Sequence, residues 1–368
     1  MATTIGGEID VYPWAPFQMR VGDVVLDAVI SLDQTRTNYT TVGTSTIVVA
    51  DNYGEVYDSV EFLDEIEVFI QDPEDLYVPN KVWGGYLQNR MYLQGNTHKL
   101  QITGTEYSNS LFNTLYSHDY SAGADIGQIG QDIINNNGLF TTQEIANPIG
   151  KLANLKFTNS RSWDAMAQTF NPLGFEFGVT LDSDVYARSV ADSPNSPDEI
   201  ALGSNIQVNN SGQNPMIVST QQSIGSNVAT TVTTQGPTTA TTATVSDSEA
   251  EQQYGTSMQI LSILPQSAST TTSTAYANQL LANQSSPAIM YQVQSTALLH
   301  TNPNDNLEVT IEGTSLSSFY KVIAIEDVIA TNGNLSSTVS LNYIGLSSND
   351  ILLNIAKRYN QAEQAVYS

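Results

Sequence analysis

The groups able to do acid–base or metal chemistry are few and scattered. Histidine occurs three times, at His98, His118 and His300, in unrelated segments without metal-ligand spacing; exposed or loop positions account for them. His118–Asp119 is the one His–carboxylate neighbour pair, and adjacent residues face apart. Carboxylates cluster at Asp64-Glu65-Glu67, Asp72-Glu74-Asp75 and Asp182-Asp184. A glycosidase needs two such groups facing each other across a cleft. In the first cluster the acids alternate with apolar residues, which predicts a solvated outer strand face. Asp182-Ser183-Asp184 lacks the glycine and terminal glutamate of a calcium loop. Gly43-Thr44-Ser45-Thr46 lacks the second glycine of a nucleophile elbow, and no HExxH, GxSxG, GxGxxG or phosphate-loop pattern occurs. With no cysteine, disulfides, thiolate metal sites and a cysteine nucleophile are excluded. No catalytic, cofactor-binding or metal site is predicted.

The charge balance narrows the partners. Asp and Glu number 37 against 12 Lys and Arg, a net −25 over 368 residues, yet only 13% of residues are charged. That is about half the usual share, so the deficit lies in basic residues. Gripping nucleic acid needs clustered Lys and Arg, whereas an anionic surface lets DNA slide past. Adaptation to a high-salt host is a second reading of the acidity. No secretory signal opens the chain and no apolar run approaches the roughly 20 residues of a membrane span; first folding in a cytosol is expected.

The elements that would position any site are mostly strands. Val24, Leu26, Ala28 and Ile30 alternate, Ile47-Val48-Val49 precedes a turn at Asp51–Gly54, and EFLDEIEVFI alternates Phe62, Ile66, Val68 and Ile70 against acids. Five or six strands over residues 9–105 predict a barrel or sandwich. Residues 106–137 read as helical, with Ile126, Ile129 and Ile133 on one face and Gly138 at the C-cap. Trp163, Met166, Ala167 and Phe170 form the buried stripe of a two-turn helix. Asn159, Ser160 and Ser162 are candidate N-caps, and Pro172 and Gly174 stop it. Phe175 and Phe177 then alternate in a strand that turns at Asp182–Asp184 and returns through Val185–Arg188. With Trp163, Met166 and Phe170, they form the expected core of a small α+β unit.

Ser189 to about Asn214 reads as a polar connection. The Thr-rich stretch 217–248 fits either a flexible linker or a strand pair around Gly236-Pro237. AYANQLLANQ is helical, and strands resume in IMYQVQSTALL, NLEVTIEG, FYKVIAIEDVIA and STVSLNYIG. In the last segment Leu352, Ile355, Tyr359, Ala362 and Val366 keep a heptad spacing, marking a helix that packs on its own domain or docks a partner. LQITGTEYSNSLF (100–112) and LEVTIEGTSLSSFY (307–320) share a faint similarity, which would matter only if both halves held the same barrel.

The order of these segments resembles the baseplate hub, or tail-tip hub, proteins of tailed viruses, the family of late control protein D and the type VI secretion hub. The matching pieces are VEFLDEIEVFI, the WGGYL strand at 83–87, LQITGTEYSNSLF, the helix DIGQIGQDIINNNG at 125–138, the helix-then-LGFEF unit, SEAEQQYGTSMQI (248–260) with ANQLLANQSSP (277–287), and the closing hairpin at 319–344. The resemblance implies a mainly β chain with an α+β insertion: two tail-tube-like β-barrels, an inserted helix-plus-hairpin domain and a C-terminal helix. It divides the chain into a first barrel (1–107), the insertion (108–200), the start of a second barrel (201–245), a helical insertion or connector (246–290), the rest of that barrel (291–346) and the C-terminal helix (347–368).

It further implies a non-enzymatic virion protein of the tail tip or baseplate, assembled in host cytoplasm. Three copies would present six barrels to a six-fold tube, with ring-closing contacts between unlike barrels. Expected partners are further copies in a trimer, the tail tube or distal tail protein, a tip, spike or fibre protein, the tape measure protein, and viral DNA passing the lumen unbound, with no membrane insertion and no cofactor. Departures are the missing hydrolase module and the long Thr-rich segment. Alternatives are a distal-tail ring or receptor-binding tail protein, a tail-associated hydrolase using cleft carboxylates, and a halophile adhesin, which the absent signal and anchor disfavour.

Overall fold

A computed structural model describes residues 17–26, 28–37, 42–51, 53–71, 79–93, 98–202, 219–224, 229–235, 241–254, 259–263, 270, 273–274, 277–278, 281, 289–295, 298, 300–311, 317–329 and 335–343. The first unit contains β1 (Phe17–Val21), β2 (Val24–Val25), β3 (Val29–Thr37), β4 (Thr44–Ala50), α1 (Glu55–Ser59), β5 (Glu65–Gln71), β6 (Pro79–Leu93) and β7 (Lys99–Glu106). Period-2 alternation drives it: Ile66, Val68 and Ile70 face inward with Ile47, Val49, Leu100 and Ile102. The pairing order is β2-β1-β5-β6-β7-β4-β3. Leu26 N–H donates to Met19 O (2.9 Å) and Ala28 O accepts from Ala50 N–H (2.9 Å), so the ends of this pairing order, β2 and β3, are near neighbours along the chain.

The insertion holds α2 (Asn109–Asn113), β8 (Leu115–Asp119), β9 (Ala124–Asp125), α3 (Ile126–Asn137), β10 (Leu152–Ala153), β11 (Lys156–Arg161), α4 (Ser162–Phe170), β12 (Phe175–Val179) and β13 (Val185–Ser189). Residues 106–137 are therefore not helical throughout; one helical turn and two short strands precede α3. Gly138 caps α3 in the left-handed conformation. The candidate N-caps of α4 do not cap it: Asn159 and Ser160 belong to β11, Ser162 is the first helical residue, and Arg161 occupies the cap position without a side-chain bond. The cause is strand pairing, since β11 pairs with β8 up to Arg161 and Ser162 N–H donates to Thr114 O (2.8 Å).

Asp125 organises the entry to α3. Its carboxylate accepts from the backbone N–H groups of Gly127 (2.8 Å), Ile149 (2.8 Å) and Gly150 (2.7 Å). Burial opposes ionisation, but the bonds from Ile149, Gly127, Gly150 and Lys151 outweigh it and hold the carboxyl below the usual aspartate range. A depressed folded-state value stabilises above the unfolded value of about 4 and is lost as pH falls through the folded one. Asp125→Ala is expected to lower stability by about 0.5–2 kcal/mol at neutral pH. The deficit should vanish in acid; melting curves of both proteins at several pH values check this, and a pH-independent deficit would overturn it.

The second unit holds β14 (Asn195–Leu202), β15 (Ser219–Ile224), β16 (Thr231–Gln235), β17 (Ala243–Ser246), α5 (Ser248–Tyr254), β18 (Gln259–Ile263), β19 (Ile289–Ser295), β20 (Asn306–Ile311), β21 (Ser317–Ile329) and β22 (Leu335–Tyr343). The expected connection after Ser189 thus contains a strand, β14, lying parallel to β20. The Thr-rich stretch is a strand pair, β16 with β17, but it joins β18 in a separate three-stranded sheet rather than the thirteen-stranded one. The remaining order is β14-β20-β21-β22-β19-β15.

That order repeats the first unit strand for strand: β1, β5, β6, β7, β4 and β3 stand where β14, β20, β21, β22, β19 and β15 stand. Registers agree as well. The cross-strand row Leu87–Gly104–Ser45–Gln34 matches Val322–Leu341–Tyr291–Gln222, and both ladders carry an irregularity directly after it, at Leu87/Asn89 and Val322/Ala324. One difference is that β1 pairs antiparallel with β5 whereas β14 pairs parallel with β20.

Candidate functional site

The two units share one sheet of thirteen strands because β21 serves both. Along one side its first half pairs with β20, and its second half, Ala324–Ile329, pairs antiparallel with Thr37–Leu32 of β3. A polar network sits in this seam. Arg36, 1% exposed, donates to Asp327 Oδ2 (3.1 Å), Thr301 O (2.8 Å) and Leu298 O (3.4 Å). Asp327 also accepts from Gln34 Nε2 (3.1 Å) and Ser337 Oγ (2.6 Å). A buried charge held this way keeps its partners only in one register, so the seam fixes how the units meet.

A second buried cluster ties the insertion to the second unit. Glu176 on β12 receives Arg188 Nε (2.7 Å), Ser193 Oγ (2.9 Å) and Lys321 Nζ (2.6 Å), the last from β21. Arg188 also lies 4.0 Å from Asp305 Oδ1, and Asn304 Nδ2 donates to Tyr186 OH (2.8 Å). Burial pushes the Asp305 carboxyl up to about 6, and it pulls the Lys321 ammonium below the usual lysine range while Glu176 opposes.

The turns entering the equivalent strands β5 and β20 are repeated bond for bond. Leu63 N–H donates to Leu87 O and Leu87 N–H to Asp64 O; Asn304 N–H donates to Val322 O and Val322 N–H to Asp305 O. Asp64 and Asp305 each accept from the N–H three residues earlier, at Glu61 (2.7 Å) and Asn302 (2.8 Å). Leu63 and Asn304 both take positive φ, 70° and 75°. The turn at Asn304 is covered by the insertion, whereas Phe62 and Leu63 are 61% and 69% exposed.

Of the residues singled out in sequence, Trp163, Met166, Phe170 and Phe177 are buried together in the insertion core, with Phe175 packed against it. Leu352, Ile355, Tyr359, Ala362 and Val366 lie outside the described residues, as do Asp72, Glu74 and Asp75. The first carboxylate cluster is a solvated face only in part: Glu65 is exposed and accepts from Tyr107 OH, whereas Glu67 is buried and paired with Lys81 Nζ (2.7 Å) and with Arg20. Phe62, expected inward, precedes the strand and points out. Asp184 accepts from Thr141 in the β12–β13 turn, and His118 lies against the Tyr120 ring (4.2 Å). No group of three or more potential metal ligands occurs among the described residues, and no helix there is long and apolar enough to cross a membrane. Sequence reading missed Arg36, Asp327, Glu176, Arg188 and Lys321. Their signal was a charged residue inside a strand in a chain with only 12 Lys and Arg.

Two strand-rich units repeated in order and register, with an α+β insertion between them, make a fold that solved tail proteins share. The chain is similar to the tail protein from Neisseria meningitidis MC58 (TM-score 0.66, 11% identity, covering 91% of this chain and 98% of that one). It is similar to the 43 kDa tail protein of prophage MuSo2 from Shewanella oneidensis (TM-score 0.61, 13% identity, 91% and 99%). A third likeness is to the E. coli c3393 protein, a type VI secretion component with structural similarity to T4 bacteriophage tail proteins gp27 and gp5 (TM-score 0.53, 9% identity, 90% and 76%). No protein-family model and no curated protein matches the sequence. At these identities the likeness is one of backbone.

Proposed function

We propose that the chain is a structural, non-enzymatic virion protein: a trimeric tail-tip or baseplate hub that adapts a three-fold tip to a six-fold tail tube around the DNA channel. The observation that carries this reading is the repeat of strand order, register and irregularity between the two units. One chain holding two like units lets three copies offer six like surfaces, and closed symmetry then requires unlike units to meet between copies. The tube or distal tail protein lies on one side of such a ring, with the spike, fibre or tip protein on the other and the tape measure protein in the channel. The net charge of −25 suits a lumen that DNA passes without sticking. Mass photometry of the purified chain is expected to give a species of three times 39.8 kDa. Monomers alone at high concentration would overturn the reading, and a six-fold ring in averaged micrographs would replace it with a distal-tail ring.

A further inference from the structure

The seam inside the chain has a counterpart with one side unpaired among the described residues. In the first unit, β6 corresponds to β21, but beyond Leu87 it pairs on one side only, with β7, among the described residues. The matching side of β21 carries β3. In the second unit β15 corresponds to β3 and pairs among the described residues with β19 alone. An unpaired strand edge is a template for another chain. Here the exposed edge residue Met91 and the exposed Phe62 and Leu63 of the adjoining turn line it.

We infer that residues 89–93 of β6 pair antiparallel with β15 of a second copy of this chain, in the register that β21 and β3 use within one chain. The equivalence of Leu87 with Val322 and of Gln34 with Gln222 sets the pairs. Ile325–Arg36, Glu326–Thr35, Asp327–Gln34 and Val328–Asp33 become Arg90–Ile224, Met91–Ser223, Tyr92–Gln222 and Leu93–Gln221. The inference rests on the trimeric reading, since three such junctions alternating with three internal seams close a ring.

An exchange of side chains supports the register. At the internal seam Arg36, on the incoming strand, donates to Leu298 O and Thr301 O. At the equivalent place in the first unit, counting from the matched turns at Asp64 and Asp305, those carbonyls are Tyr57 O and Val60 O. Arg90, on β6 itself, donates to both. The guanidinium site is thus already filled from within, and the position on β15 that corresponds to Arg36 is Ile224. Each junction holds one arginine and one isoleucine at the same paired step, with the strands exchanging roles. A second arginine there would meet occupied carbonyls and a like charge.

The chain has no cysteine, so introduced thiols report the junction directly. A chain carrying Met91→Cys and Ser223→Cys is expected to oxidise to a reducible covalent trimer, and mixed single variants to a covalent dimer. Met91→Cys with Gln221→Cys, two steps out of register, should stay uncross-linked. On the unmodified protein, amide exchange of residues 89–93 and 219–224 should slow on assembly. A trimer by mass photometry with neither cross-link nor slowed exchange overturns this junction and leaves the trimer standing. Cross-linking of the off-register pair as efficiently as the in-register pair overturns the register. Monomers throughout overturn the trimeric reading and the junction with it.

Discussion

Arg36→Met is expected to cost about 3–5 kcal/mol and to break one thermal transition into two. The magnitude is that of removing one partner from a buried ion pair. Asp327, with 2% of its side chain exposed, would keep only the neutral donors Gln34 and Ser337, and the carbonyls of Leu298 and Thr301 would lose their donor. The damage falls on the seam and leaves each unit's own apolar core intact: Ile47, Ile66, Val68, Leu87 and Ile102 in one, Val293, Leu307, Val309, Val322 and Val339 in the other. Units that lose coupling melt separately, so calorimetry should resolve two endotherms. The double variant Arg36→Met with Asp327→Leu removes both charges and should recover much of the loss, since an apolar pair of similar volume often matches a buried ion pair. A single transition at the original temperature in Arg36→Met would refute the role given to this network.

What could be read along the chain was local. Ile66, Val68 and Ile70 announced their strand, Ile126, Ile129 and Ile133 with Gly138 announced α3, and the Trp163–Phe170 stripe faces the insertion core, because each signal lies within a few residues. The repeat of strand order between the two units was legible only in fragments. Asp64, Glu67, Val68 and Ile70 recur as Asp305, Glu308, Val309 and Ile311 at β5 and β20. The similarity noted between 100–112 and 307–320 instead joins β7 to β20, which are not equivalent.

The rest is hidden because the two cores reach the same shape with different volumes. Trp83 lies over Gly85 and Gly104, where an added Cβ would come within 2.6 and 3.2 Å of its ring. The second unit places Tyr320 and Leu341 at those glycine positions and Ser318 at that of the tryptophan. Corresponding places are filled by different residues, so the equivalence of the two cores is lost along the chain. Gln34 and Asp327 stand 293 residues apart, and no local pattern links them. Glu67 alternates as a surface residue would and is nonetheless buried, because Lys81 and Arg20 come to it from neighbouring strands.

Lys321→Met should act on the other join, between the insertion and the second unit, again by about 3–5 kcal/mol. Lys321 has 4% of its side chain exposed and Glu176 has 11%; without the lysine, Arg188 is left to serve both Glu176 and Asp305. Asp305 gives the loss a pH signature. Its folded-state value of about 6 lies above the unfolded value near 4. Its favourable contribution is therefore full below about 4 and is lost as pH rises through about 6. Removing a nearby cation raises that value further, so the part of the Lys321→Met deficit due to Asp305 should be absent in acid and grow as pH rises above about 6. Because the pair is buried, added salt should change it little. The insertion keeps its own core of Ile126, Ile129, Ile133, Trp163, Met166 and Phe170, so it should stay folded while it loosens. Limited proteolysis would then cut between β13 and β14 sooner in the variant than in the parent. Glu176→Gln added to Lys321→Met should restore much of the protection, since the uncompensated carboxylate, more than the lost contact, is what the single change leaves behind. A cleavage rate equal to the parent's in Lys321→Met would show that the insertion is held by its apolar packing alone.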